Sequence, residues 1–319
     1  MTDATNILAK PVLPAGYSPY QQFWRRFRRN RLAVISLFFI CLLAVMALLW
    51  SGDPTPVENA GKLGPLMKPL DSVRRFPYDP NAPVLEDMLK GPSREHPFGT
   101  DQIGRDVMAR ILHGTRISMT VGLVAVGISM TIGITIGAVA GYFAGWIDTV
   151  LMRFVDVMMN FPRFFLVITV VALLDKPSYW WIIIVLGVTG WTGTSRLVRA
   201  EFLSLRERDF VTAIKALGAG HGRTMFKHML PNGVAPVLVS ATLGVAGAIL
   251  TEAGLSFLGF GVQPPQATWG NILSEGRTYV LDAWWLTVFP GIAVLLTVLA
   301  FNLLGEGLRD ALNPRLSER

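Results

Sequence analysis

The stretch FVTAIKALGAGHGRTMFKHMLP, residues 210–231, is a basic, glycine-broken segment set between two long apolar runs. On a helix over Asp209–Leu217, the residues Phe210, Ala213, Ile214 and Leu217 fall at i, i+3, i+4 and i+7 and form one apolar stripe. Thr212, Lys215 and Ala216 face elsewhere. Gly218, Gly220 and Gly222 end the helix, because glycine enters left-handed conformations without penalty. Such a helix has two physical uses. It lies on a lipid interface with its basic neighbours towards the headgroups, or it fills a groove on a partner protein. A narrow stripe containing a small alanine suits close docking better than deep lipid insertion.

The runs on either side decide the class. The chain has 319 residues, 51% of them apolar and only 16% charged, with a net charge of +7 and a mean hydropathy of +0.45. Soluble domains carry about 25% charged residues. Leu32–Trp50 runs 19 residues without a charge and Ile117–Phe143 runs 27, and runs of about 18 or more read as membrane spans. The first is longer than the apolar core of a signal peptide and ends in Leu49-Trp50 rather than a small-residue cleavage site. Six spans are expected, at 32–50, 117–143, 152–174, 180–197, 233–255 and 285–304. The third is interrupted by Arg153, Asp156 and Arg163, and Pro162 bends it. The fold class is an all-α, six-span membrane protein.

Charge orients it. Lys10, Arg25, Arg26, Arg28, Arg29 and Arg31 precede the first span, seven Lys/Arg lie in 196–230, and Arg309, Arg315 and Arg319 close the chain. The short connections on the other side offer Lys176 and Arg277. The positive-inside rule therefore puts both termini in the cytoplasm. The expected organisation is a basic cytoplasmic tail (1–31), a first transmembrane helix (32–50) and an external loop (51–115). A five-helix core (116–309), with its cytoplasmic loop at about 198–231, and a cytoplasmic tail (310–319) follow. In the external loop, Ile103, Val107 and Ile111 behind Thr100/Asp101 predict a capped amphipathic helix.

Several chemistries are excluded. The single cysteine, Cys41, sits mid-span, so there is no disulfide framework and no thiolate metal site. No phosphate-cradling G-x-x-x-x-G-K-[ST] loop and no H-E-x-x-H occurs. The four histidines, His96, His113, His221 and His228, all lie outside the spans, so no buried histidine base is available. The positive charge follows from topology and implies no nucleic acid. Gly133, Gly137 and Gly141 recur every four residues in the second span, for packing within the chain or against another subunit.

At this point the residues resemble a known family. TAIKALGAGHGRTMFKHMLP resembles the EAA loop of importer-type ABC permeases, with Ala213, Gly218, Leu230 and Pro231 at motif positions. Thr212 replaces the motif glutamate, Ile214 its second alanine and His228 its isoleucine. HPFGTDQIGRDVMARILHGTRISM (96–119), LSFLGFGVQPPQATWGNIL (255–273), GLRDALNPRL (307–316) and WRRFRRNRLAV (24–34) are similar to oligopeptide and dipeptide permease subunits of the OppC/DppC type. The resemblance covers about 20–50 and 96–316.

The resemblance implies a type I importer permease fold with a MetI-like core in a bacterial inner membrane, and no catalysis by this chain. ATP and magnesium would belong to two cytoplasmic ATPase subunits. A homologous second permease and an external solute-binding protein complete the assembly, and the cargo is a peptide or a peptide-like solute. Relatives of this type also carry nickel chelates, glutathione or sugars. Asp209, Phe210, Ala213, Ile214, Leu217, Gly218 and Pro231 would form the ATPase-coupling segment. Gln263, Pro264, Pro265 and Trp269 would belong to an external scoop that meets the binding protein.

Two charges inside the spans have no topological explanation. Arg163 and Glu252 are read as candidate path-lining groups, for a solute carboxylate and a solute amino group, against snorkelling or a helix contact. The competing class is a stand-alone channel or secondary transporter, for which the sequence offers no broken-helix ion site.

Overall fold

Asp106 starts the longest helix. Its carboxylate accepts a hydrogen bond from the Ala109 amide at 2.7 Å, capping the buried first turn of a 37-residue helix. The computed structural model describes residues 19–49, 79–174 and 178–312. Lys10, Lys176, Arg315, Arg319 and all of 50–78 lie outside them.

The helices are α1 (Pro19–Arg29), α2 (Arg31–Leu49), α3 (Val107–Phe143), α4 (Gly145–Met159), α5 (Arg163–Ala172), α6 (Tyr179–Thr189) and α7 (Thr192–Arg206). Then follow α8 (Asp209–Ala216), α9 (Val234–Phe257), α10 (Trp269–Gly276) and α11 (Trp285–Leu312). No β-strand occurs among the described residues. Four stretches are long and apolar enough to cross a membrane: α3, α6 with α7, α9 and α11. Two bent pairs raise the number to six if each is one span, α1 with α2 at 98° and α4 with α5 at 75°.

The expected third span is therefore broken at 160–162, where Pro162 removes a backbone donor. The fourth runs on to Arg206 and the sixth to Leu312, so the tail expected from residue 310 begins inside a helix. At the first bend, Asn30 Oδ1 accepts from the Ala33 amide at 3.1 Å and starts α2 afresh.

One expectation fails here. Thr100 and Asp101 cap no helix, and Ile103 lies outside α3, whereas Val107 and Ile111 lie within it. Gly104 has φ +79°, and a Cβ there would stand 1.8 Å from the Val84 carbonyl oxygen. That left-handed turn ends any helix begun at residue 101. Asp101 Oδ1 instead accepts from the Ile103 and Arg105 amides.

The glycine stripe of α3 packs within the chain. Added Cβ atoms at Gly133, Gly137 and Gly141 would fall 2.7 Å from Thr194 Cβ, 2.4 Å from Ser195 O and 2.6 Å from Phe202 Cβ, all on α7. Small residues let two apolar helices approach at the backbone, where lipid gives no water-exclusion drive. A second core joins α3, α9 and α11 through Val126, Val245, Ile249, Val294 and Phe301. Phe27, Ala33, Leu304 and Ala311 fasten α1 and α2 to α11.

Candidate functional site

The segment after α7 is built around a buried anchor. Val211 is fully buried among Tyr142, Val198, Phe202, Met225 and Met229, with Phe210 packed partly against them. This inward residue lies outside the expected stripe. The stripe itself divides: Phe210 and Ile214 are half-buried, while Asp209, Ala213 and Leu217 are exposed, Leu217 at 87%. The end of α8 is closed by Gly218 at φ +80°, with the Gly218 amide bonded to Lys215 O and the Ala219 amide to Ile214 O. Arg223–Met229 is wound as a π-helix before exposed Pro231. The outward face of Ala213, Ala216 and Leu217 is thus apolar, small and held from behind.

Two contacts tie this segment to α3. Tyr142 Oη lies 2.9 Å from His221 Nδ1. Lys215 Nζ sits 5.0 Å from the centre of the same tyrosine ring. Asp148 holds the neighbouring α7 through a bidentate pair with Arg199, with 2.6 Å from Nη2 to Oδ2.

At the opposite end of α3, the buried Asp101, Arg105 and Arg110 form an ion network with the partly buried Glu275. Arg110 Nη1 is 2.6 Å from Asp101 Oδ2, and Arg110 Nη2 is 3.0 Å from Glu275 Oε1. Arg105 bridges the same two acids at 2.6 and 3.0 Å. Burial disfavours the Glu275 carboxylate, but the hydrogen bond and charge of Arg110 outweigh it and hold the carboxyl below its ordinary value. His96 Nδ1 lies 2.9 Å from Asp106 Oδ2, and the Trp285 indole donates to Thr100 O at 3.0 Å. Residues 96–106, α10 and the start of α11 thus form one platform. The i,i+4 pair Asp101/Arg105 was visible in sequence, whereas Glu275 is 165 residues from Arg110 and gave no signal.

The expected scoop residues separate. Gln263, Pro264 and Pro265 are exposed and line an open cleft of about 720 Å³ opposite Leu174, Ser178 and Tyr179. The Gln263 amide donates to Gly259 O and Gly261 O, which shapes the loop. Trp269 corrects the expectation. It is 1% exposed, its indole donates to Ile111 O at 3.1 Å, and it belongs to the core. A capping box between Thr268 and Asn271 starts α10 at that residue and turns the indole inward.

The two span charges also differ. Glu252 is fully buried and accepts from Ser256 Oγ at 2.7 Å, beside the Ser118 and Thr268 side chains. It lines no open wall in this conformation, and its reading as a path-lining acid is corrected to a contact joining α9, α3 and α10. Arg163 opens α5 just after the break, and its Nη2 donates to Leu186 O at 3.0 Å. It borders a pocket of about 140 Å³ between α3, α5, α7 and α9.

Comparison with known proteins adds to this geometry. Residues 133–318 match the family model described as "Binding-protein-dependent transport system inner membrane component". Residues 18–92 match that of the "N-terminal TM domain of oligopeptide transport permease C". The chain is 39% identical to the dipeptide transport system permease protein DppC of Alkalihalophilus pseudofirmus, over 94% of this chain and 91% of that protein. It is 40% identical to DppC of Bacillus subtilis, over 93% and 86%. It is 38% identical to the glutathione transport system permease protein GsiD of Pectobacterium atrosepticum, over 94% and 92%.

Proposed function

Because this chain belongs to the family of binding-protein-dependent transport system inner membrane components, we propose that it is the permease subunit of an ATP-driven importer for peptides or peptide-like solutes. It supplies half of the transmembrane path. A homologous permease supplies the other half, and two cytoplasmic ATPases provide the driving force. An external binding protein delivers the solute. Both termini lie in the cytoplasm, as does the α8 segment; the basic residues at that end support this orientation.

The carrying observation is the outward face of α8. Ala213, Ala216 and Leu217 are exposed on a helix anchored from behind by Val211 and tied to α3 through Tyr142 and His221. An exposed leucine on a rigidly backed helix suits an ATPase groove. A push on α8 reaches α3, and α3 is about 55 Å long, enough to extend beyond the ~30 Å apolar core of a bilayer. The ion network at its far end lies on the side where a binding protein would dock. ATP closes the ATPases and rocks the helices, and the solute follows the exposed cavity because the two states bind it differently.

The printed names of the relatives support peptide-class cargo, dipeptides in two cases and glutathione in a third. A stand-alone secondary transporter is the competing reading, and the break between α4 and α5 gives it one structural feature. Reconstitution separates them. The chain with its partner permease, ATPases and binding protein should take up labelled dipeptide only with ATP. Uptake by the chain alone, driven by an ion gradient, would overturn the importer reading.

A further inference from the structure

Arg163 is the least explained charge in the spans. A guanidinium near the end of an apolar helix normally reaches for the headgroups. Here it turns into the bundle instead. Its Nη2 donates to the Leu186 carbonyl and lies 2.8 Å from where a Cβ on Gly190 would stand. The facing residue on α3, Ser129, is 22 residues from Val107 and 14 from Phe143, or about 33 and 21 Å along the helix. The guanidinium thus lies level with the interior of α3, far from either end, while the arginine itself keeps an exposed side in the isolated chain. A cation at that level is costly unless it meets a polar path or a partner.

Among the described residues no carboxylate stands within ion-pair distance of Arg163, and its hydrogen bonding to the protein is the one contact with Leu186 O. A guanidinium has five N–H donors, so most of its capacity is open. The adjoining pocket of about 140 Å³ sets the hydroxyl residues Ser129, Thr194 and Ser240 among apolar wall residues such as Val126, Met130 and Ala248. Neither Ser129 nor Ser240 donates a hydrogen bond within the described chain. Gly193, also on the wall, has no atom within 4 Å of its added Cβ, which leaves the pocket open on that side.

We propose that Arg163, with Ser129, Thr194 and Ser240, forms a carboxylate subsite partway along the translocation path, taking the C-terminal carboxylate of the passing solute. This rests on the importer reading above. The volume admits the carboxylate and its α-carbon but not a whole peptide, at ~30 Å³ for each water-sized unit. The remainder of the solute stays in the wider path, so the subsite reads one end of the cargo and tolerates variety in its side chains. The Arg163 charge and the undonated hydroxyls of Ser129 and Ser240 border one small space, with the Thr194 hydroxyl able to turn from Met130 Sδ. The planar fork of arginine matches a carboxylate in two bonds.

The test uses the complete transporter in proteoliposomes with trialanine and trialanine amide as paired probes. Initial uptake rates are compared for the wild type, Arg163→Gln, Arg163→Lys and Ser129→Ala. The expected result is a fall in the acid-to-amide ratio of roughly ten- to hundredfold in Arg163→Gln, the size of a lost charge-assisted hydrogen bond. Arg163→Lys should keep an intermediate ratio, and Ser129→Ala should lower it by a few-fold. If Arg163→Gln does not assemble, the other two variants carry the test. An unchanged ratio in the variants that assemble overturns the subsite, including the case in which Arg163 is satisfied by a lipid phosphate. Wild-type complex that hydrolyses ATP but takes up neither probe would instead overturn the peptide reading on which the proposal rests.

Discussion

Tyr142 Oη and His221 Nδ1 stand 2.9 Å apart, joining the last turn of the longest helix to the segment just beyond Gly218. Lys215 covers the same ring from α8, so one tyrosine receives both sides of the glycine stop. Tyr142→Phe keeps the ring and removes the hydrogen bond. We expect solute uptake per ATP hydrolysed to fall by about two- to tenfold, the effect of ~0.5–1.5 kcal/mol. Tyr142→Leu, which also removes the cation–π contact, should fall further. Parallel assays of ATPase rate and uptake in the reconstituted complex measure the ratio.

Leu217 and Val211 should respond oppositely to an introduced acid. Leu217 is 87% exposed, so Leu217→Asp leaves the chain folded and removes an apolar contact from the docking face. Uptake should be lost while expression and melting temperature stay near wild type. Val211→Asp buries an unpaired carboxylate among Phe202, Met225 and Met229 and should abolish folding. Normal uptake by Leu217→Asp would sink the docking assignment.

Gly137 and Gly127 lie on the same helix but in different surroundings. A Cβ at Gly137 would stand 2.4 Å from the Ser195 carbonyl oxygen, whereas one at Gly127 meets nothing within 4 Å. Gly137→Ala should destabilise by about 1–3 kcal/mol through forced separation of α3 and α7. Gly127→Ala should be neutral or slightly stabilising, because alanine loses less backbone entropy. Thermal melts of the purified chain in detergent distinguish the two. A Gly137→Ala melt at wild-type temperature would refute the close packing.

The network of Asp101, Arg105, Arg110 and Glu275 predicts acid sensitivity. The Glu275 carboxyl is held below its ordinary value of 4.5, so it contributes stability that is fully present above that value. The contribution is lost as pH falls through the lowered folded-state value. The melting temperature should therefore be flat from about pH 7 to about pH 5 and decline below it. Glu275→Gln should lower stability at neutral pH and weaken the decline. Arg110 is fully buried, so its loss of a partner should cost towards the lower end of ~3–5 kcal/mol, given that Glu275 keeps some contact with solvent. A Glu275→Gln variant as stable as wild type at neutral pH would show that the network carries no net weight.

Much of this organisation is legible along the chain. Spans emerge because apolar runs need only length and the absence of charge, and Pro162 announces the break between α4 and α5 through its own missing donor. The stop at Gly218 is likewise local, since φ +80° suits glycine. Thr100 and Asp101 mislead because a capping pattern is also a turn pattern, and the left-handed Gly104, pressed against Val84, selects the turn. Trp269 misleads because an aromatic beside prolines reads as interfacial, while its indole finds a donor's partner at Ile111 O, 158 residues away.

By itself the sequence determined the class of molecule, the approximate limits of its long apolar runs, and the exposed glycine-ended helix between two of them. These depend on interactions within a few turns and on the cost of charge in lipid. Tertiary structure alone decided which residue of that helix points inward, that the Gly133/Gly137/Gly141 stripe meets α7, and that Arg110 meets Glu275. It also separated the two span charges, burying Glu252 against Ser256 and leaving Arg163 beside a small pocket that holds three hydroxyl residues. A periodic pattern states that a face exists. Which neighbour covers it depends on the packing of helices distant in sequence.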